Sequence, residues 1–387
     1  MVKDIMINTL IIISLFGDLS RGRGLFFLPK RKIKIIDKIL ILWYSIFSTN
    51  PNNSARGAEG KEQNMTILQK QKDRKFTILN FSDPQLSNAE WGEGHPNGIL
   101  LRETITAMID AVKPDLITVS GDLAWASEFV AYDMLAKFLD SFGIPWAPVF
   151  GNHDNQNGPE AVCKAAEIMK AQKTCLLEQG DPAMGYGNYV IGIEEEGRLI
   201  HGLILMDSHD RKAWVDEQGN HRYDWADIEP NQFPWYREQV EMLKAKGAKE
   251  SSLLMHIPLY TYRTAVEAAL RSDIDRSAVS PFNGEQGDCW NPGFENSFGV
   301  LYEGISSFER ENGFFDEILA AGHTKTVLCG HDHVNTIGVY WHGVLLAFTL
   351  KTGCGCYWNP KITGGTVMTV DSDGKMEIEH CFYRTEE

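Results

Sequence analysis

From Phe76 onward, short apolar runs alternate with stretches whose apolar residues recur at helical spacing. "FTILNFS" is followed by the amphipathic "ILLRETITAMIDAV", then "DLITVS", "EFVAYDMLAKFLDSF" and "WAPVF". Period-two or fully apolar runs of this length predict strands, the 3.6-residue period predicts helices, and their alternation predicts βαβ units around a buried sheet. A third helix is expected near Pro159–Lys173, after which the pattern turns toward strands: "NYVIGI", "RLIHGLILM", "SSLLM", "KTVLCG", "TIGVYW", "GVLLAFTL", "GTVMTV" and "MEIEHCFY". Further helices are expected over about 232–246 and 308–321. Each strand run leads into a polar cluster. No repeat of fixed period appears, and no linker interrupts the chain after residue 74, so residues 65–387 read as one domain.

Composition changes the picture mainly at the N-terminus. Residues 1–64 hold ten Lys/Arg against five Asp/Glu, whereas the chain as a whole carries a formal charge of −15. An acidic body of this kind argues against a nucleic-acid groove, because phosphate backbones are bound by basic surfaces that release counterions. It leaves a phosphate substrate open if metal ions supply positive charge. The apolar runs Ile5–Phe16 and Ile39–Phe47 are both well short of the ~20 residues of a bilayer span, so no stable membrane span is expected. Residues 1–64 are read as a disordered extension, a membrane-associated segment, or the result of a translation start placed too early, the last being favoured because Met65 opens a natural domain start. Seven scattered cysteines lack the even spacing of a disulfide framework, and Cys354-Gly-Cys356 lacks a second pair at zinc-site spacing. Reduced thiols favour the cytoplasm, with membrane association or export left open if the extension is genuine.

The chemistry gathers where the strand runs end. In order these ends carry Asp83-Pro84-Gln85, Asp122 in "SGDLAW", Asn152, His153 and Asp154 in "FGNHDNQ", His256 in "MHIPLY", and His331 and His333 in "CGHDHVN". Ligands of open α/β sheets collect outside the carboxyl ends of strands. The set offers carboxylates, amides and imidazoles without thiolate, which suits a pair of divalent first-row metals better than a closed structural zinc. Gly121, Gly151 and Gly330 each precede a ligand-type residue, where a missing side chain permits a sharp turn and a close approach. Taken singly the motifs are weak: Asp83-Pro84 reads as a turn and His256 as a packed core histidine. Jointly they point to a di-metal site.

The order "DPQ … GDLAW … GNHD … MHIPL … GHDHVN" resembles the calcineurin-like metallophosphoesterase superfamily, with longer stretches similar to its purple-acid-phosphatase-related branch. The resemblance spans about residues 76–383 and implies a four-layer α/β/β/α sandwich, two mixed β-sheets flanked by helices. It also implies two divalent ions, manganese, iron or zinc, bridged by Asp122. Asp83, Gln85 and His333 would complete the first site, and Asn152, His256 and His331 the second. His153 would stand near the leaving-group oxygen, with Asp154 holding its ring, and a bridging water would attack in line. Two departures stand out. Gln85 replaces the usual histidine, a harder and weaker ligand toward zinc or iron. Trp125 stands where purple acid phosphatases have an iron-binding tyrosine, so no tyrosinate–iron centre is expected.

The implied activity is phosphoric ester hydrolysis on a small-molecule or protein substrate. A monoester leads; a cyclic-nucleotide or glycerophosphodiester phosphodiesterase, and a non-catalytic phosphate-binding member, are the rivals. Loops over 86–98, 207–230 and 258–300 would decide between ester types. Asp207, His209 and Asp210 read as a loop at a strand end rather than a third metal site. Trp91, Trp125, Tyr260, Trp290 and Trp358 are candidates for a substrate cleft, and Glu285 for a lid.

Overall fold

Why the strand ends can meet is clearest from an eight-stranded sheet. In the computed structural model, which describes residues 65–269 and 297–383, its central strands are buried on two faces. The sheet comprises β1 (Thr66–Gln69), β5 (Tyr189–Glu195), β6 (Arg198–Leu205), β9 (Glu250–Leu254), β11 (Thr324–Cys329), β13 (Val344–Phe348), β12 (Gly338–Trp341) and β10 (Ser297–Phe298), in that spatial order. In β13, Val344, Leu346 and Phe348 pack toward helices α5 (Phe233–Ala245), α6 (Thr261–Ala269) and α7 (Phe314–Ala321), whereas Leu345 and Ala347 join the opposite core. Such double burial explains why these strands read as continuous apolar runs.

That opposite core is shared with a five-stranded sheet, in the order β15 (Met376–Phe382), β14 (Gly364–Val370), β2 (Phe76–Phe81), β3 (Leu116–Ser120) and β4 (Trp146–Val149). Its outer side carries α1 (Pro96–Val112), α2 (Phe129–Asp140) and α4 (Pro159–Lys170), which contribute Leu101, Ile105, Leu135 and Val162 to the same cluster. Pro96 sits in the first turn of α1 and Lys113 ends it in a left-handed conformation, φ 52°. A short helix, α3 (Asn152–Asn155), comes directly after β4. The result is the four-layer α/β/β/α arrangement, with both sheets mixed.

Parallel pairing fixes where the chemistry lies. β2, β3 and β4 run parallel, as do β6, β9, β11 and β13, so each group delivers its carboxyl ends to one edge. Polar contacts sew the two sheets together there: the Thr352 amide donates to Ser82 O at 2.8 Å, and Ser120 Oγ meets Thr349 Oγ1 at 2.9 Å. An exposed hairpin, β7 (Arg211–Val215) with β8 (His221–Trp225), extends beyond the end of β6 as a separate two-stranded sheet. Among the described residues no helix is long and apolar enough to cross a membrane. The expected extension over 1–64, Cys289, Trp290, Glu285 and most of the loop 258–300 lie outside the described residues.

Candidate metal centre

Three ligand-type atoms, one each from Asp83, Asp122 and His256, lie within 4.8 Å of one another, and all three residues are buried. Asp83 and Asp122 come just after β2 and β3 of one sheet; His256 comes just after β9 of the other. Burial alone would raise the Asp83 carboxyl, but the imidazole of His333, then His256 and Lys351, hold it far below the usual carboxylate range. Asp122 is lowered in the same way, burial being outweighed by His256.

The histidines are oriented from behind. His256 Nδ1 donates to Ser120 O at 2.8 Å and His333 Nδ1 donates to Tyr357 O at 2.8 Å. In each ring this leaves Nε2 facing the acidic pair: His256 Nε2 lies 3.0 Å from Asn152 Oδ1 and 3.4 Å from Asp122 Oδ1, and His333 Nε2 lies 3.3 Å from Asp83 Oδ1. A backbone carbonyl behind Nδ1 is the usual device that fixes the tautomer of a ligating imidazole. Burial would lower His256, but Asp122, then Asp83, raise it to about 10. The Nε2 proton of the metal-free protein therefore occupies the point at which an imidazole, an amide oxygen and a carboxylate converge. His331, whose ring centroid lies 5.1 Å from that of His256, is held neutral by burial and by the His256 charge, its pKa pushed down to about 3.

The backbone is bent to serve this convergence. Asp83, Gln85, Asp122 and His331 all adopt left-handed conformations, with φ of 50°, 41°, 47° and 74°. That conformation is costly for residues other than glycine, and such strain clusters where surrounding structure overdetermines a site. Gly121 at φ 88° has a further constraint, since a Cβ there would run into the His256 ring; a Cβ on Gly151 would run into Asp122.

Asp154 corrects one expectation. Its carboxylate does not hold the His153 ring. It accepts instead from the amides of Gly151 (2.7 Å) and Leu123 (3.1 Å) and from the Tyr132 hydroxyl (2.6 Å), tying together the loops that carry Asp122 and Asn152. Burial, reinforced by the Asp122 charge, pushes its pKa up to about 7. The His153 ring is held by Gln156, whose Oε1 lies 2.9 Å from Nδ1, and by the Trp125 edge, with ring centroids 4.3 Å apart. The His153 amide donates to Asp122 Oδ1 at 2.8 Å. Gln156, three positions past the motif histidine at the end of a short helix, is a partner that local spacing allows but motif reading misses.

Lys351 is the other residue the sequence did not single out. Only 3% exposed, its Nζ donates to Asp83 O at 2.9 Å and lies 3.5 Å from Gln85 Oε1, so a buried ammonium fastens the Asp83–Gln85 corner. A lysine directly after the apolar run "VLLAFTL" was the available signal.

Whether these residues suit divalent ions is testable on the atoms themselves. His331 Nε2 and Asp83 Oδ1, the latter faced by His333 Nε2 at 3.3 Å, are buried without a hydrogen-bond partner, and both are atom types that ligate divalent ions. Buried polar atoms left in this state are costly, and an unpartnered carboxylate oxygen and imidazole nitrogen in one cluster match a site that a cation would satisfy. Gln85 Nε2 is also buried without a partner, while Gln85 Oε1, the atom of this side chain able to ligate, lies 3.5 Å from Lys351 Nζ. The Asp83–Asp122–His256 cluster fits a divalent ion.

Other expectations resolve simply. Asp207 is satisfied by Asn155 Nδ2 and the amides of Tyr186 and His209, and serves the loop rather than a metal. Trp91 is core, packed on Phe138. Trp125 reaches the site; Tyr260 stacks near Arg263. Trp225, not singled out from sequence, meets the His331 ring edge-on at 4.5 Å. Cys354 is buried, its thiol directed at Asn97 O, and Cys356 is exposed; both are free.

A family model described as calcineurin-like phosphoesterase matches residues 76–335. The chain is 27% identical over 258 residues to the protein named probable inactive purple acid phosphatase 29 of Arabidopsis thaliana, covering 60% of this chain and 57% of that one. It is 26% identical over 291 residues to phosphatase DCR2 of Saccharomyces cerevisiae, covering 69% and 46%. Against the 3',5'-cyclic adenosine monophosphate phosphodiesterase CpdA of Escherichia coli K12 it is 28% identical over 146 residues, covering 31% and 52%. The chain thus spans less than two thirds of the length of each of these relatives.

Proposed function

The chain belongs to the calcineurin-like phosphoesterase family, and from that premise we propose that it hydrolyses a phosphomonoester with two divalent cations. The observation that carries the reading is the convergence of Asp83, Asp122 and His256, with Nε2 atoms of His256 and His333 turned onto the carboxylates. Asp83, Gln85 and His333 would hold the first cation and Asn152, His256 and His331 the second, with Asp122 serving both. When bound, such a pair lowers the pKa of a shared water, orients the phosphoryl oxygens and offsets charge during in-line displacement.

The remaining chemistry belongs to the side chains. In His153, with Nδ1–H given to Gln156, Nε2 is the ring atom that faces the departing oxygen; a ring entering the step as the imidazolium passes its Nε2 proton there and is left neutral, with Nδ1–H still on Gln156. It is half-buried at the rim, and its amide bond to Asp122 fixes it relative to the ligand that both cations share. Asp154 and Tyr132 act as positioning groups that hold the Asp122 and Asn152 loops at one spacing.

Two rival readings have specific support. The likeness to a cyclic-nucleotide phosphodiesterase favours diesters, and Gln85, together with a relative named as probably inactive, favours a phosphate binder without turnover. Purified protein assayed with 4-nitrophenyl phosphate and bis(4-nitrophenyl) phosphate, each with manganese, zinc or iron, separates the three. Faster monoester turnover that is lost in Asn152→Ala and His153→Ala variants supports the proposal. A diester preference selects the first rival, and no hydrolysis with any metal selects the second.

A further inference from the structure

The hairpin β7–β8 stands beside the proposed centre and brings a cation to its rim. Its base is rigid: the Ser208 hydroxyl accepts from the Ile257 amide at 2.8 Å, next to His256, and the Ala226 amide donates to Asp210 O at 3.0 Å. In the antiparallel register Arg211 lies opposite Trp225. The guanidinium carbon stands 3.6 Å over the Trp225 ring, and the same indole meets His331 edge-on with centroids 4.5 Å apart. Arg211 is exposed, Trp225 half-buried. Indole therefore connects the arginine to a residue of the ligand set.

Other cations of the hairpin are engaged with carboxylates. Lys212 pairs with Asp227 and, at 3.1 Å, with Glu229, and Arg222 pairs with Asp216 at 2.8 Å. Among the described residues no carboxylate lies within ion-pair distance of Arg211, and none of its N–H groups has an acceptor. Asp210 is close enough to feel Arg211, His153 and Asp122 together, which sets this end of the hairpin beside the centre. A guanidinium stacked on an aromatic face keeps its edge donors free, in the fork geometry that matches carboxylate or phosphate.

We propose that Arg211, carried on Trp225, is an anion-recognition subsite, and that the substrate is a phosphoester whose alcohol half bears a second anionic group, a carboxylate or another phosphate. This rests on the phosphoesterase reading of the same centre. Arg211 determines specificity by binding the part of the substrate that does not react.

The test uses the manganese-loaded full chain and two non-hydrolysable ligands, benzylphosphonate and 4-carboxybenzylphosphonate, with Kd measured by calorimetry. The carboxylated ligand is expected to bind tighter by at least roughly tenfold, the size of one charge-assisted contact. Arg211→Gln should bring the ratio toward one, Arg211→Lys should retain part of it, and Trp225→Leu should reduce it by removing the platform. Equal affinities in the unaltered protein, a ratio that survives Arg211→Gln, or no binding of either ligand overturns the subsite. Turnover of phenyl phosphate and 4-carboxyphenyl phosphate by the same preparation judges the hydrolase reading separately. If neither is cleaved while the Kd ratio depends on Arg211, the hydrolase reading fails and the subsite stands.

Discussion

His256 carries the most explicit chemistry of any single residue. Raised to about 10, its ring holds a proton in the metal-free protein at neutral pH, aimed at Asn152 and Asp122. A cation bound there must displace it, because only the unprotonated ring nitrogen coordinates. Manganese titrated at pH 7.5 in buffers of different ionisation enthalpy should show release of about one proton from this site, and no buffer dependence would count against it. The same shift couples pH to stability. The folded-state value lies above the ordinary 6.5, so its contribution is complete below pH 6.5 and is lost as pH rises toward 10. The Tm of metal-free protein should fall across that window, and a flat profile would mean the proton is not held. At Gln85 the prediction concerns affinity: Gln85→His supplies an imidazole in place of a neutral amide, so the first site should bind zinc more tightly, by roughly tenfold or more in a chelator competition. An unchanged affinity would show that position 85 does not face the ion.

Turns and strand ends, rather than whole strands, set the geometry of the centre. Gly121 joins β3 to Asp122 at φ 88°, and a Cβ there meets the His256 ring. Gly121→Ala should cost more than the about 1 kcal/mol of left-handed strain alone, and lower Tm along with loss of the second cation. A variant that keeps its metal would contradict that close approach. How much the sequence revealed beforehand depends on burial. The strands β2, β3, β4, β9, β11 and β13 are buried on both faces and announce themselves as apolar runs, so the polar residues immediately after them could be named. The hairpin β7–β8 buries neither face in the core; "RKAWV" and "HRYDW" carry no hydrophobic period, and the Trp225 contact with His331 went unread. Asp154 shows a different limit. Sequence adjacency to His153 suggested a pair, but in α3 the two side chains diverge, one inward to Tyr132 and the Gly151 amide, the other to the rim. Lys351 was hidden because its importance depends on a fold-level neighbour, the Asp83 corner, that lies far away in sequence.

At the largest scale, the centre sits across a seam. Asp83, Gln85, Asp122 and Asn152 come from the five-stranded sheet; His256, His331 and His333 come from the eight-stranded one. Cations shared between them would fasten the two sheets, in addition to the direct contacts at Ser82, Ser120 and Thr349. Binding to the folded state alone stabilises by mass action, about 4 kcal/mol for one site at a thousandfold excess over Kd. Chelator treatment should therefore lower Tm by several degrees, and re-addition of manganese should restore it; a Tm indifferent to chelator would mean that the sheets hold without the ions. The two-cation centre itself is best tested by anomalous diffraction from crystals grown with manganese. The map should show two peaks about 3.5–4 Å apart, both in contact with the Asp122 carboxylate, one against Asp83 and His333 and the other against Asn152, His256 and His331. An empty map at Asp122, or manganese bound only elsewhere, would contradict it.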